Sequence, residues 1–194
     1  MLLLFGASLA ASADERGDAV VRAMTAAVKS LGDYAVKFTV VSGDVHADGR
    51  YTVVGRGYSM TVGSVDVYCD GAVRYEVNKD YKEITVDNLD PSEHNILNNP
   101  VSGLDFVGDD YRTQLLSVSG SESVVRLTLA NDAGRSNVVL DVAVDAVSHL
   151  PRRLEYRMAD GKATFTLNDI RSTSDPLPRF DAAKYPDFEI IDFR

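Results

Sequence analysis

The chain of 194 residues has no tryptophan and a single cysteine, Cys69. One cysteine excludes a disulfide within the chain, so no internal cross-link holds the fold together. Basic side chains are in deficit. Lys and Arg number 20 against 29 Asp and Glu, a net charge of -9. An acidic surface repels nucleic acid and anionic bilayers, which argues against both as partners. No apolar run reaches the roughly 20 residues that span a bilayer as a helix. The common catalytic motifs are missing as well: there is no G-x-S-x-G elbow, no H-E-x-x-H, no P-loop and no G-x-G-x-x-G. His46, His94 and His149 are scattered through turn-rich segments. His46 and Asp48 share a face of an extended segment, but a metal site needs more ligands. Asp141 and Asp145 fall on the polar side of a strand and read as solvated. Asp105, Asp109 and Asp110 could bind a cation weakly, the alternative and preferred reading being a surface loop. Cys69 alternates with polar neighbours and reads as a small buried hydrophobe rather than a nucleophile. The expectation is a protein that is not an enzyme and carries no cofactor and no metal.

The length suits one domain able to bury a core. Leu2–Ala10 is apolar and is followed by Ala11-Ser12-Ala13, an A-x-A cleavage pattern, although a basic n-region is lacking. Residues 1–13 read as a secretory signal, the alternative being a buried N-terminal helix. Residues 14–194 then form the single mature domain, outside the cytoplasm.

Residues 14–31 show the one long helical pattern. Val20, Met24, Ala27, Val28 and Leu31 fall on one stripe, and Gly32 follows as a stop. About ten short alternating strands come after it. In the first, Val36, Phe38 and Val40 oppose Lys37 and Thr39. Asp48-Gly49 reads as a turn, Gly55-Arg56-Gly57 as a bend or bulge, and Tyr81 to Val86 and Tyr111 to Val118 as strands. The centre of the chain is residues 65–100, VDVYCDGAVRYEVNKDYKEITVDNLDPSEHNILNNP. Val65, Val67 and Cys69 lead through Asp70-Gly71 to Val73, Tyr75 and Val77, a hairpin signal. Asp90 can cap a short helix over 91–97, Pro91 fits its first turn, and Asn99-Pro100 ends it. Strict alternation and short links predict a mainly β protein. Its strongly curved antiparallel sheet forms an unclosed half-barrel, covered by the N-terminal helix and the short inserted helix.

Two stretches, YCDGAVRYEVNKDYKEITV with the following NILNNP, and the tail FDAAKYPDFEIIDFR, resemble the periplasmic outer-membrane lipoprotein carrier family (LolA-like). The resemblance covers residues 14–194 and indicates a divergent branch, because Tyr58-Ser59-Met60 replaces the family's aromatic before tryptophan. It implies a periplasmic chaperone that shields the acyl chains of lipoproteins in an apolar cavity. It would carry them, as a monomer, from an inner-membrane lipoprotein-releasing ABC transporter to an outer-membrane acceptor. The alternative is a lipid- or lipoprotein-sensing scaffold with the same half-barrel and no shuttling. The wall candidates are Val36, Phe38, Val40, Tyr51, Val53, Met60, Val62 and Val67, then Val73, Tyr75 and Val77, then Leu127, Val142, Leu154, Tyr156 and Phe165. These residues either leave a cavity or interdigitate into a filled core. The lid candidates are Val20, Met24, Val28 and Leu31 of the helix and Ile96 and Leu97 of the inserted segment, the alternative being permanent packing on the sheet. The family has an arginine near the end of one strand that ties lid to barrel. Arg56 is the candidate here, in Val54-Gly55-Arg56-Gly57 without the family's proline, against a solvated turn arginine.

Overall fold

The computed structural model describes residues 14–90, 96–106, 111–130, 139–159 and 161–194. The proposed signal segment, residues 1–13, lies outside them. So do residues 91–95, most of the expected inserted helix. Residues 96–98 are a turn rather than helix.

Helix α1 spans Glu15–Ser30. The Asp14 side chain caps it, accepting from the backbone N–H of Arg16 and of Gly17 at 3.2 Å each. Gly32, at φ +67°, ends it in the left-handed conformation that only glycine adopts freely. The buried face is Gly17, Val21, Met24, Thr25 and Val28, with Val20 and Leu31 only partly covered. The stripe is therefore turned from the expected one. Gly17 sits so close to the sheet that a Cβ there would lie 3.0 Å from Thr113 Oγ1, and this approach sets the rotation.

Among the described residues twelve strands form one sheet. The first meander is β1 (Tyr34–Ser42), β2 (Val45–Val54), β3 (Gly57–Val62), β4 (Val65–Cys69), β5 (Val73–Asn78) and β6 (Glu83–Asn88). The second is β7 (Tyr111–Val118), β8 (Glu122–Leu129), β9 (Val139–Asp145), β10 (Pro151–Met158) and β11 (Gly161–Ser172). They join through the β1–β11 pair. The tail strand β12 (Glu189–Asp192) adds to the far edge, giving the order β12-β6-β5-β4-β3-β2-β1-β11-β10-β9-β8-β7. The sheet is curved and is not closed into a barrel. All neighbours are antiparallel except β12, which runs parallel to β6. A parallel partner needs a long crossover, and residues 173–188 supply it across the outer face.

Three local expectations need correction. Asp48-Gly49 is not a turn: β2 runs through it and Gly49 pairs with Phe38. The Phe38 ring lies over the bare backbone, where a Cβ would come within 2.3 Å of its tip. Tyr81 is not in a strand. It is exposed in the turn after Asn78, and β6 begins at Glu83. Asp141 and Asp145 are not solvated. Both are buried, because long arginine side chains on the neighbouring strands lie over them.

Candidate functional site: the apolar face and its cover

Cross-strand partners share a face, so the register decides what lines the inside. Val36 on β1 faces Tyr51 on β2, Tyr51 faces Met60 on β3, and Met60 faces Val67 on β4. On the other side, Val40 faces Phe165, Phe165 faces Leu154, Leu154 faces Val142 and Val142 faces Val125. With Phe38, Val53, Leu127 and Tyr156 these form one contiguous buried cluster, against which Val62 packs. Met24, Val21 and Val28 of α1 enter it from above, and so do Ile96, Leu104 and Phe106. Leu97 is partly buried at its margin.

Val73, Tyr75 and Val77 do not join it. The link between β4 and β5 places Cys69 opposite Arg74 and Val67 opposite Glu76. Odd-numbered residues that face inward on β4 therefore meet even-numbered ones on β5. Arg74 and Glu76 point into the concave side, and Val73, Tyr75 and Val77 point out. The dry face of the sheet thus changes sides between β4 and β5. Beyond this point the apolar residues Val77, Ile84 and Val86 form a second buried cluster with Tyr68, Phe180, Tyr185 and Phe188. The tail covers it. Tyr75 and Phe180 stack at 4.3 Å, and Tyr68 and Tyr185 hydroxyls meet at 3.1 Å. The apolar basin is therefore narrower than alternation alone suggests, and it ends at an Arg74–Glu76 ion pair.

The cover is fastened at three places. Asp14 Oδ2 accepts from the Leu115 N–H on the free edge of β7 at 2.5 Å, and Thr113 Oγ1 donates to Asp18 at 2.5 Å. Backbone hydrogen bonds lower the Asp14 pKa, the Leu115 amide being the largest cause. At the other end of α1, Lys29 pairs with Asp105 at 2.8 Å on the surface. The 96–106 segment is held from below by tyrosines. The Tyr58 hydroxyl donates to the Asn98 carbonyl at 2.6 Å, and Tyr34 donates to the Pro100 carbonyl at 3.2 Å. Burial pushes the Tyr58 pKa up to about 12, with Arg74 opposing the rise, so the phenol stays a donor. Buried Asn99 binds Ser102 and accepts the Gly103 N–H on its carbonyl at 2.8 Å, giving the segment a turn of its own. Tyr34, Tyr58, Arg74 and Asn99 are not among the expected site residues. Their signal is present in part, since an arginine that hairpin parity turns inward can be counted from the sequence.

Two hydroxyls inside the basin, Thr25 Oγ1 and Tyr51 Oη, have no hydrogen-bond partner among the described residues. Burial raises the Tyr51 pKa well above the ordinary phenol value. An unpaired buried hydroxyl costs about 1–3 kcal/mol, so each is a donor in want of an acceptor. Arg56 is placed differently. It is exposed in the β2–β3 turn, beside Gly71 and the tail, and makes no ion pair or hydrogen bond to α1 or the 96–106 segment among the described residues. Cys69 is buried at the basin's edge, and burial raises its thiol pKa. Among the described residues no group of three His, Cys, Asp or Glu side chains converges, and no helix is long and apolar enough to cross a membrane.

No protein-family model matches the chain, and no curated protein sequence does. Solved structures do. An uncharacterized conserved protein from Thermus thermophilus matches with a TM-score of 0.52 at 8% identity, over 88% of this chain and 98% of its own. The likeness is one of fold. The lipoprotein LppX of Mycobacterium tuberculosis matches at 0.49 and 16% identity, over 84% of this chain and 98% of that one. A putative outer membrane lipoprotein-sorting protein domain from Vibrio parahaemolyticus matches at 0.48 and 12%, over 84% and 94%.

Proposed function

We propose that the protein is a periplasmic, non-enzymatic carrier that shields the acyl chains of lipoproteins between the inner and outer membranes. The observation that carries this reading is an apolar face of an unclosed sheet, roofed by α1 and the 96–106 segment rather than by a second sheet. The sequence resemblance of residues 65–100 and of the tail supports it. Each CH₂ of an acyl chain is worth about 0.8 kcal/mol on leaving water, so cargo cannot cross an aqueous space unshielded. The basin's own residues bury one another when no cargo is present. Outward movement of the roof exchanges that self-burial for burial of the chains, which offsets part of the cost of release. The 96–106 segment is the part we assign to this movement. Besides the burial of Ile96, Leu104 and Phe106, it is held by two tyrosine hydroxyls and a surface ion pair, whereas α1 is bolted to β7 at its N-terminus. Thr25 and Tyr51 would donate to the ester or amide carbonyls at the head of the chains. An inner-membrane ABC transporter would load the carrier and an outer-membrane acceptor unload it.

Native mass spectrometry of protein purified from periplasm without detergent tests this. A one-to-one complex with a lipid-modified protein is expected, emptied by Ile96→Glu or Leu31→Glu. An apo mass together with no uptake of a labelled lipopeptide from vesicles would remove the carrier reading.

A further inference from the structure

On the outer side of the sheet a cleft of about 520 Å³ opens between the β2–β3 turn, the β4–β5 hairpin and the tail. It lies on the far side of the sheet from the roofed basin. Its origin is legible in the residues. Leu177 is seated on Gly57, where a Cβ would come within 2.7 Å of its methyl group. Three residues later Phe180 is stacked on Tyr75. Pro176 and Pro178 flank Leu177 and stiffen this stretch of tail, so it bridges its two anchors instead of collapsing onto the strands. The volume is within the roughly 300–1,000 Å³ of small-molecule sites.

The lining has an apolar wall and charged residues. Pro176, Leu177 and the Tyr75–Phe180 stack form the wall. Arg56 and Arg179 both line the cleft, and neither has an ion-pair partner among the described residues. The one carboxylate in the lining, Asp70, already accepts the Ala72 and Val73 N–H groups at 2.9 Å each, although Arg179 is near enough to favour its charge. In a chain of net charge -9, two arginines against the single Asp70 carboxylate beside an apolar wall are a local reversal of sign. We infer that this cleft is a second binding site, for a small organic anion with a flat apolar body, whose carboxylate or sulfonate lies between Arg56 and Arg179. Guanidinium offers a planar pair of donors to such oxyanions, and the aromatic wall takes the rest of the molecule.

The probe is 1-anilinonaphthalene-8-sulfonate, with uncharged N-phenyl-1-naphthylamine as its control. Both are titrated into the intact protein by fluorescence and calorimetry. One sulfonate per chain is expected. Arg56→Ala and Arg179→Ala should each weaken it by about fivefold, the upper end for an exposed ion pair, and leave the neutral probe unchanged. Both arginines are exposed, so both variants keep the fold, and their melting curves verify it. Amide shifts on adding the sulfonate should centre on Gly57, Gly71 and Phe180. Equal affinity in wild type and both variants, shifts centred instead on Met24 and Val36, or no uptake at millimolar probe would each overturn the second site.

Discussion

At the scale of single residues, Phe38 and Gly49 form a pair in which one side chain occupies the space the other lacks. Phe38 is 1% exposed, so its ring cannot swing into solvent when that space is filled. Gly49→Ala should therefore destabilise by about 1–3 kcal/mol through overpacking. Chemical denaturation checks this, and adding Phe38→Leu should restore part of the loss. Asp145 carries a different load. Its carboxylate accepts from the Ser148 N–H, the Ser148 hydroxyl, Arg152 and the Val147 N–H, and these hold its pKa well below the ordinary aspartate value. A pKa lowered by folding gives stability that is complete above the unfolded value of about 4 and is lost as pH falls through the folded one. Melting temperature should drop on acidification below about pH 4, and Asp145→Asn should flatten that limb while lowering stability at neutral pH.

At the scale of elements, α1 combines a cap with a clasp. Asp14 serves both the first turn of the helix and the Leu115 amide on β7. Edge strands expose unpaired N–H groups, and here the helix start covers one. Asp14→Ala should lower the melting temperature and speed hydrogen exchange at Arg16, Gly17 and Leu115 more than at the core amides of Phe38 and Leu154. The 96–106 segment behaves oppositely if it is the moving part of the roof. Tyr58→Phe should leave the sheet intact but raise exchange at Gly103 and accelerate release of a bound lipopeptide, measured by stopped-flow. Helix and hairpins are legible from periodicity and turn chemistry: α1 lies within one residue of its expected ends, and β7 matches its expected bounds. The Asp48-Gly49 strand is not, because an Asp-Gly pair in a strand has the same composition as one in a turn. Only the Phe38 ring across the pair distinguishes them.

At the scale of the whole molecule, the sheet has two dry faces of opposite sense, and the tail covers the second. Removing residues 176–194 should expose Val77, Ile84 and Val86 and free the β6 edge. Sedimentation should then show more self-association than in the intact chain, with a lower melting temperature. The truncation should leave lipopeptide uptake by the basin in place, since the two apolar clusters lie on opposite sides of the sheet.

Class follows from local pattern. Alternation over short segments with tight links dictates an antiparallel sheet, and one amphipathic stripe dictates one helix to cover it. Most of the expected wall, from Val36 to Phe165, lies in the concave cluster for that reason. Three features depend on how the segments pair and cross. Hairpin register reverses the side on which Val73, Tyr75 and Val77 stand, because pairing parity rather than alternation assigns a face. Arginines from neighbouring strands bury Asp141 and Asp145. The course of the tail, parallel to β6, creates the cleft at Arg56, because a crossover over the sheet's outer face brings together residues far apart in the chain.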